Sequence, residues 1–216
     1  RPKSSAASDV YKRQPQDQRR RSCQTVMALI IERLAGLIAP VLCHMAEDIW
    51  QNLPYPVEET SVFHRGWPTV PTEWRDAVLS APVQELRELR AAVNKVLEDC
   101  RGRQELGASL EAAVRIDARR PELQAALSWL SETGDAEVDG LRDWLLVSQL
   151  QIGGEPWAEV LASQDDELAS IEVSRARGTK CERCWHYEGD VGQHPGHPHI
   201  CGRCVGVLER RTHQLA

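Results

Sequence analysis

The chain has no start methionine and no uncharged run long enough to cross a bilayer. Its longest uncharged window, Leu34 to Ala46, spans 13 residues and contains Pro40, against about 20 apolar residues for a spanning helix. A transmembrane segment is therefore not expected. The basic run Arg19, Arg20, Arg21 is followed by only ten uncharged residues before Glu32, which does not support a secretory leader. The chain reads as an internal or C-terminal piece. Lysine is also scarce, at four of 26 basic residues, a bias that codon usage explains better than guanidinium recognition chemistry does.

Catalytic signatures are missing too. There is no glycine-rich phosphate loop ending in Lys-Ser/Thr, no Gly-x-Gly-x-x-Gly, no Gly-x-Ser-x-Gly and no His-Glu-x-x-His. The acidic neighbours Glu47-Asp48 and Asp165-Asp166-Glu167 read as solvated charge, because adjacent side chains on a helix point apart. No active site is expected.

What is present is a soluble globular composition, 42% hydrophobic and 27% charged over 216 residues, which excludes wholesale disorder and allows one or two domains. The net charge of −6 is uneven. Residues 1–21 balance to +5, residues 121–172 to −11, and residues 173–216 return to seven bases against four acids. A polyanion would meet the two ends, and the acidic block reads as a solvated face.

Residues 1–21 have almost no large apolar side chains and read as a disordered or non-native leader. From Ser22, the positions Val26, Leu29, Ile30, Leu34, Leu37 and Ile38 draw one buried helical stripe that Pro40 ends. A second helix carries Val41, Leu42, Met45, Ile49 and Trp50 and stops at Asn52-Leu53-Pro54. Residues 54–72 form a proline-rich loop pinned by Phe63 and Trp67. After Pro82 comes the clearest helix, with Val83, Leu86, Leu89, Val93, Val96, Leu97 and Cys100 on one face. Beyond Gly107 the period changes, because Leu110, Ala112, Val114 and Ile116 alternate with Glu111, Arg115 and Asp117 as in a half-buried strand. A helix at Pro121–Leu130, a strand at Trp144–Ile152, an acidic loop or helix near 155–169 and a strand at Ile171–Arg175 complete a small mixed unit.

Four of the seven cysteines stand as Cys181-Glu182-Arg183-Cys184 and, after sixteen residues, Cys201-Gly202-Arg203-Cys204. This is zinc-ligand spacing, with each pair able to turn two sulfurs towards one tetrahedral ion. Two disulfides are the bland alternative, and an odd cysteine total argues against them. Four thiolates leave no open coordination position, so the metal would be structural. His194, His197 and His199 crowd the intervening loop and read as a polar turn held by Pro195 and Pro198. Cys23, Cys43 and Cys100 read as small core residues. Arg183 and Arg203 occupy equivalent places beside the thiolates. Two readings stand open: they compensate the sulfur charge, or they meet phosphates while Trp185 and His186 offer stacking faces to bases.

The stretch from Leu37 to Pro54 resembles the anticodon-binding helical domain of class I aminoacyl-tRNA synthetases for branched and related amino acids. The run Lys180-Cys181-Glu182-Arg183-Cys184-Trp185-His186-Tyr187, with Asp190-Val191-Gly192 and His199-Ile200-Cys201-Gly202-Arg203-Cys204, resembles the zinc module of bacterial isoleucyl-tRNA synthetases. Ser61-Val62-Phe63, Trp67-Pro68, Val93-Asn94-Lys95-Val96-Leu97-Glu98 and Gly107-Ala108-Ser109-Leu110-Glu111-Ala112 match that family in the same order. The resemblance implies a mainly α chain with a small α+β unit: a partial helical anticodon-binding bundle at 22–106, a mixed junction domain at 107–177, a four-cysteine zinc module at 178–208 and a tail at 209–216. It implies the tRNA-binding C-terminal part of a cytoplasmic ligase that joins isoleucine to its tRNA with ATP. The family's His-Ile-Gly-His and Lys-Met-Ser-Lys-Ser signatures are not in this sequence, so the chain itself should neither bind ATP nor catalyse. The implied set is one structural zinc on Cys181, Cys184, Cys201 and Cys204, tRNA contacts by Arg183, Arg203, Trp185 and His186, and a monomer without membrane or DNA partners. The alternatives are a zinc module like that of DNA glycosylases and a stand-alone zinc-ribbon adaptor.

Overall fold

The computed structural model describes residues 18–133 and 140–215. Most of the expected leader, residues 1–17, lies outside them; its last four residues open helix α1, Gln18–Ile38. Two compact units divide between Arg75 and Asp76.

In the first unit, α1 ends just before Ala39-Pro40 and is followed by α2, Cys43–Gln51, as the proline dictates. Their contact is made by small residues: Ala35, Ala39 and Ala46 are buried, together with Trp50 and Val62. Alanines let the two backbones approach closely. The larger stripe expected to be buried faces outward instead, with Val26, Ile30, Leu34 and Leu37 all exposed. The loop at 54–72 is also held differently from expectation. Phe63 and Trp67 are exposed, Trp67 by 69%. The pins are Trp50, whose Nε1 donates to the Glu59 carbonyl at 2.9 Å, and Pro68, which packs on Gly36. Glu47 adds a third anchor, accepting from Ser61 Oγ at 2.8 Å and Val62 N at 3.1 Å. It is thus no idle surface charge.

The second unit begins with α3, Ala77–Gly102. It starts five residues before Pro82, because the Asp76 carboxylate accepts from Val78 N and Leu79 N at 2.9 and 3.0 Å and supplies the N-terminal cap. The predicted stripe of α3 is buried from Leu86 to Cys100, but it packs on a sheet. The division between compact units falls at 75/76, whereas the boundary expected from the sequence is 106/107.

That sheet has the order β2-β1-β4-β3, with β1 Ala112–Ala118, β2 Gln149–Ile152, β3 Ala162–Asp165 and β4 Ala169–Arg175. β1 and β2 are parallel, which requires a crossover; α4, Pro121–Thr133, and α5, Gly140–Leu145, lie on it in sequence. Trp144 and Leu145, expected in a strand, are helical. Val114 and Ile116 face the helices with Ile171 and Val173. Arg115 on the other face is not solvated as the alternation suggested: it is 3% exposed and pairs with Glu172 at 3.3 Å.

A hairpin of β5, Thr179–Lys180, and β6, Tyr187–Glu188, leads into α6, Gly202–Leu215. The expected tail is thus the continuation of a helix. Among the described residues no helix is long and apolar enough to cross a membrane.

Candidate metal centre

Gly178 makes the hairpin possible. Its φ is +102°, and a Cβ there would sit 2.5 Å from the Glu188 carbonyl, so only glycine fits. The hairpin then presents Cys181 and Cys184 on a tight turn closed by Trp185 N donating to the Cys181 carbonyl and Cys181 N donating to the His186 carbonyl, each at 2.9 Å. The second pair comes from a helix start. Cys201 precedes α6 and Cys204 lies one turn on, so both sulfurs share one face.

All four cysteines are buried, and their sulfurs lie within 4.8 Å of one another. Cys181 and Cys204 sulfurs are 3.8 Å apart, Cys184 and Cys201 sulfurs 3.7 Å. A disulfide needs about 2.05 Å, so the four are free thiols. With a zinc–sulfur distance of about 2.3 Å, a tetrahedron has edges of about 3.8 Å. The donor set and its spacing fit zinc. The four thiols are buried and strongly coupled, and contact with Cys201 and Cys204 lowers the Cys184 thiol from its usual range.

The histidines stand apart, as expected from their loop. Within the described residues, the metal-competent group of buried thiols includes none of them. His194 Nε2 lies 3.2 Å from Asp190, whose carboxylate accepts from Gly202 N at 2.7 Å and caps α6. Burial alone would raise Asp190, but these two bonds outweigh it and hold its carboxyl low. His199 is exposed beside Glu182. Of the remaining cysteines, Cys100 is in the core, Cys23 is half-buried and Cys43 is exposed, against the expectation for the last.

Three of the residues expected to touch nucleic acid are buried or half-buried. His186 is 1% exposed, so it has no open face for a base. The Arg203 side chain is 20% exposed and lies 3.8 Å from Asp143. Burial disfavours its charge, but Asp143 and the Cys184 sulfur outweigh that and keep it firmly protonated. Both terminal nitrogens of Arg183 are buried. Of the two open readings of these arginines, burial of the guanidinium groups is the arrangement that charge compensation requires. Trp185 alone keeps the expected role open. It is 43% exposed, adopts φ +68°, a conformation that costs a bulky residue about 1–3 kcal/mol, and has Lys180 Nζ 5.8 Å from its ring centroid. Lys180 was missed as a site residue, although it stands in the quoted run, because sequence does not show what crosses a hairpin.

The module is fastened to the sheet unit. Tyr187 N donates to Ser148 Oγ at 2.8 Å, and Arg142 pairs with Glu188 at 3.1 Å.

Against known proteins, residues 4–116 match the family model for the anticodon-binding domain of tRNA ligase, more than half of the chain. The chain belongs to that family. Beside this anticodon-binding domain, residues 178–206 match the zinc finger found in FPG and IleRS. The chain is 84% identical over 210 residues to the isoleucine–tRNA ligase of Parasynechococcus marenigrum strain WH8102, covering 97% of this chain and 22% of that protein. It is 72% identical over 206 residues to that of Synechococcus sp. strain CC9311, covering 95% and 21%, and 71% identical to that of Prochlorococcus marinus strain MIT 9313, with the same coverage. The chain thus spans about a fifth of the length of these curated relatives.

Proposed function

We propose that this chain is the tRNA-binding, C-terminal part of an isoleucine–tRNA ligase. The observation that carries the reading is 84% identity across nearly the whole chain to one such ligase, with an anticodon-binding match and a zinc-finger match in one sequence. A DNA-glycosylase module or a stand-alone adaptor would leave residues 4–116 unexplained. One zinc ion per chain would be held by Cys181, Cys184, Cys201 and Cys204, and when bound it supplies folding energy to the module. Its four sulfurs leave no position for a water, so the module positions and does not catalyse. Trp185 offers an unpaired base of the isoleucine-accepting tRNA a flat face, and Lys180 beside it a cation for the backbone. ATP is used by the parent ligase outside these residues, in the cytoplasm, and the chain acts as a monomer.

Isoleucine-dependent pyrophosphate exchange by the purified chain should equal background, because catalysis by positioning and charge stabilisation needs an ATP site. Zinc analysis should give one ion per chain, and Cys201→Ser should lose it. Turnover above a Cys→Ser control, or full zinc after that substitution, would contradict the proposal.

A further inference from the structure

Helix α5 lies in the most acidic part of the sequence, yet two of its side chains meet the cysteine module instead of solvent. Arg142 reaches Glu188 in β6. Asp143, 10% exposed at its side chain, reaches Arg203 in the first turn of α6. Arg203 stands between Cys201 and Cys204 in the chain, on the first turn of α6, beside two of the four clustered sulfurs. Asp143 and Arg203 therefore form a relay from α5 to the turn that carries two of the four sulfurs.

A divalent ion on four thiolates leaves a buried centre of net charge −2, and a fixed cation beside it stabilises the loaded form. Arginine is long and flexible, so its benefit depends on what holds the head group in place. We propose that Asp143 is a positioning residue for the metal site: it holds the Arg203 guanidinium beside the sulfur cluster and so raises zinc affinity from a neighbouring element. The proposal rests on the reading of the four cysteines as a zinc site. Two opposed effects make it testable. If Asp143 merely cancelled the arginine charge, its removal would tighten zinc binding; if it positions Arg203, its removal loosens it.

The experiment is competition for zinc between the full chain and a chromophoric chelator, with cobalt(II) substitution to read thiolate-to-metal charge-transfer bands and near-ultraviolet circular dichroism to confirm folding at saturating metal. Asp143→Asn and Arg203→Gln should each weaken zinc about 10–100-fold, and the double variant should be no weaker than Arg203→Gln alone. Asp143→Glu, which keeps the carboxylate, should recover part of the loss and hold the proposal testable if the asparagine variant fails to fold. Arg142→Gln breaks the other ion pair without touching a sulfur and should leave affinity within about threefold. Unchanged or tighter binding by Asp143→Asn, multiplying losses in the double variant, or an equal loss in Arg142→Gln would overturn it. An unmodified chain that takes up no zinc would overturn the zinc reading itself; normal zinc uptake with an indifferent Asp143 would overturn only the relay.

Discussion

Ser148→Ala should loosen the joint between the sheet unit and the zinc module. Ser148 is fully buried. Its hydroxyl donates to the Leu110 carbonyl and accepts from Tyr187 N at 2.8 Å, so alanine leaves one acceptor and one donor without partners. Each buried orphan costs about 1–3 kcal/mol, and Tyr187 is half-buried, so water relieves part of its share; about 2–4 kcal/mol in total is expected. The volume lost is one oxygen, so cavity formation adds little. Urea unfolding of the zinc-loaded protein reads the change as a lower midpoint at constant slope. At a slope of about 2 kcal/mol/M the midpoint should fall by about 1–2 M. Ser163→Ala, at an exposed position of β3, is the control and should stay within about 0.5 kcal/mol. A Ser148→Ala loss below that same margin would refute the reasoning, because it would mean that both backbone groups find partners elsewhere at no cost.

Gly178→Ala should prevent the hairpin from closing, because its Cβ would meet the Glu188 carbonyl at a positive φ; loss of zinc retention with intact far-ultraviolet helix signal is the expected result, and normal zinc retention would contradict it. Glu47 has its carboxyl held low by hydrogen bonds from Gln51 and Ser61. A depressed acid contributes stability that is present above its unfolded pKa and is lost as pH falls through the folded one, so acidification below the ordinary carboxylate range should release the loop around Val62. Tryptophan fluorescence of Trp50 in Glu47→Gln should lack that transition, and an identical acid profile would count against the anchor.

The parts of the fold legible in the sequence were those in which one face clearly dominates. The stripe of α3 could be read because its seven apolar positions have only one buried side to occupy. The cysteine pairs could be read because ligand spacing is a geometric demand of the ion. Helix α1 misled because its large residues outweigh its alanines in any periodicity count, whereas close packing on α2 selects the alanines. Arg115 looked solvated since its partner Glu172 lies on a strand 57 positions further on, and nothing local announces that pairing. The acidic block similarly concealed Asp143 and Glu172, two of its members that end in buried ion pairs. His186 shows the limit within a motif: the backbone path of the turn, not the residue type, decides whether a ring is buried, as His186 is, or half exposed, as Trp185 is.

The most direct measurement is binding of the zinc-loaded chain to an isoleucine-accepting tRNA, titrated against salt and compared with the chelated chain. Trp185→Ala should weaken binding by roughly 1–3 kcal/mol with little change in the salt slope, as loss of a stacking face does, whereas Lys180→Ala should flatten the log–log slope by about one unit, as loss of a phosphate contact does. Arg203→Ala, at saturating zinc, should leave the slope unchanged. Binding that is indifferent to Trp185 and to zinc removal, or a slope that falls with Arg203 instead of Lys180, would contradict the proposed tRNA contact.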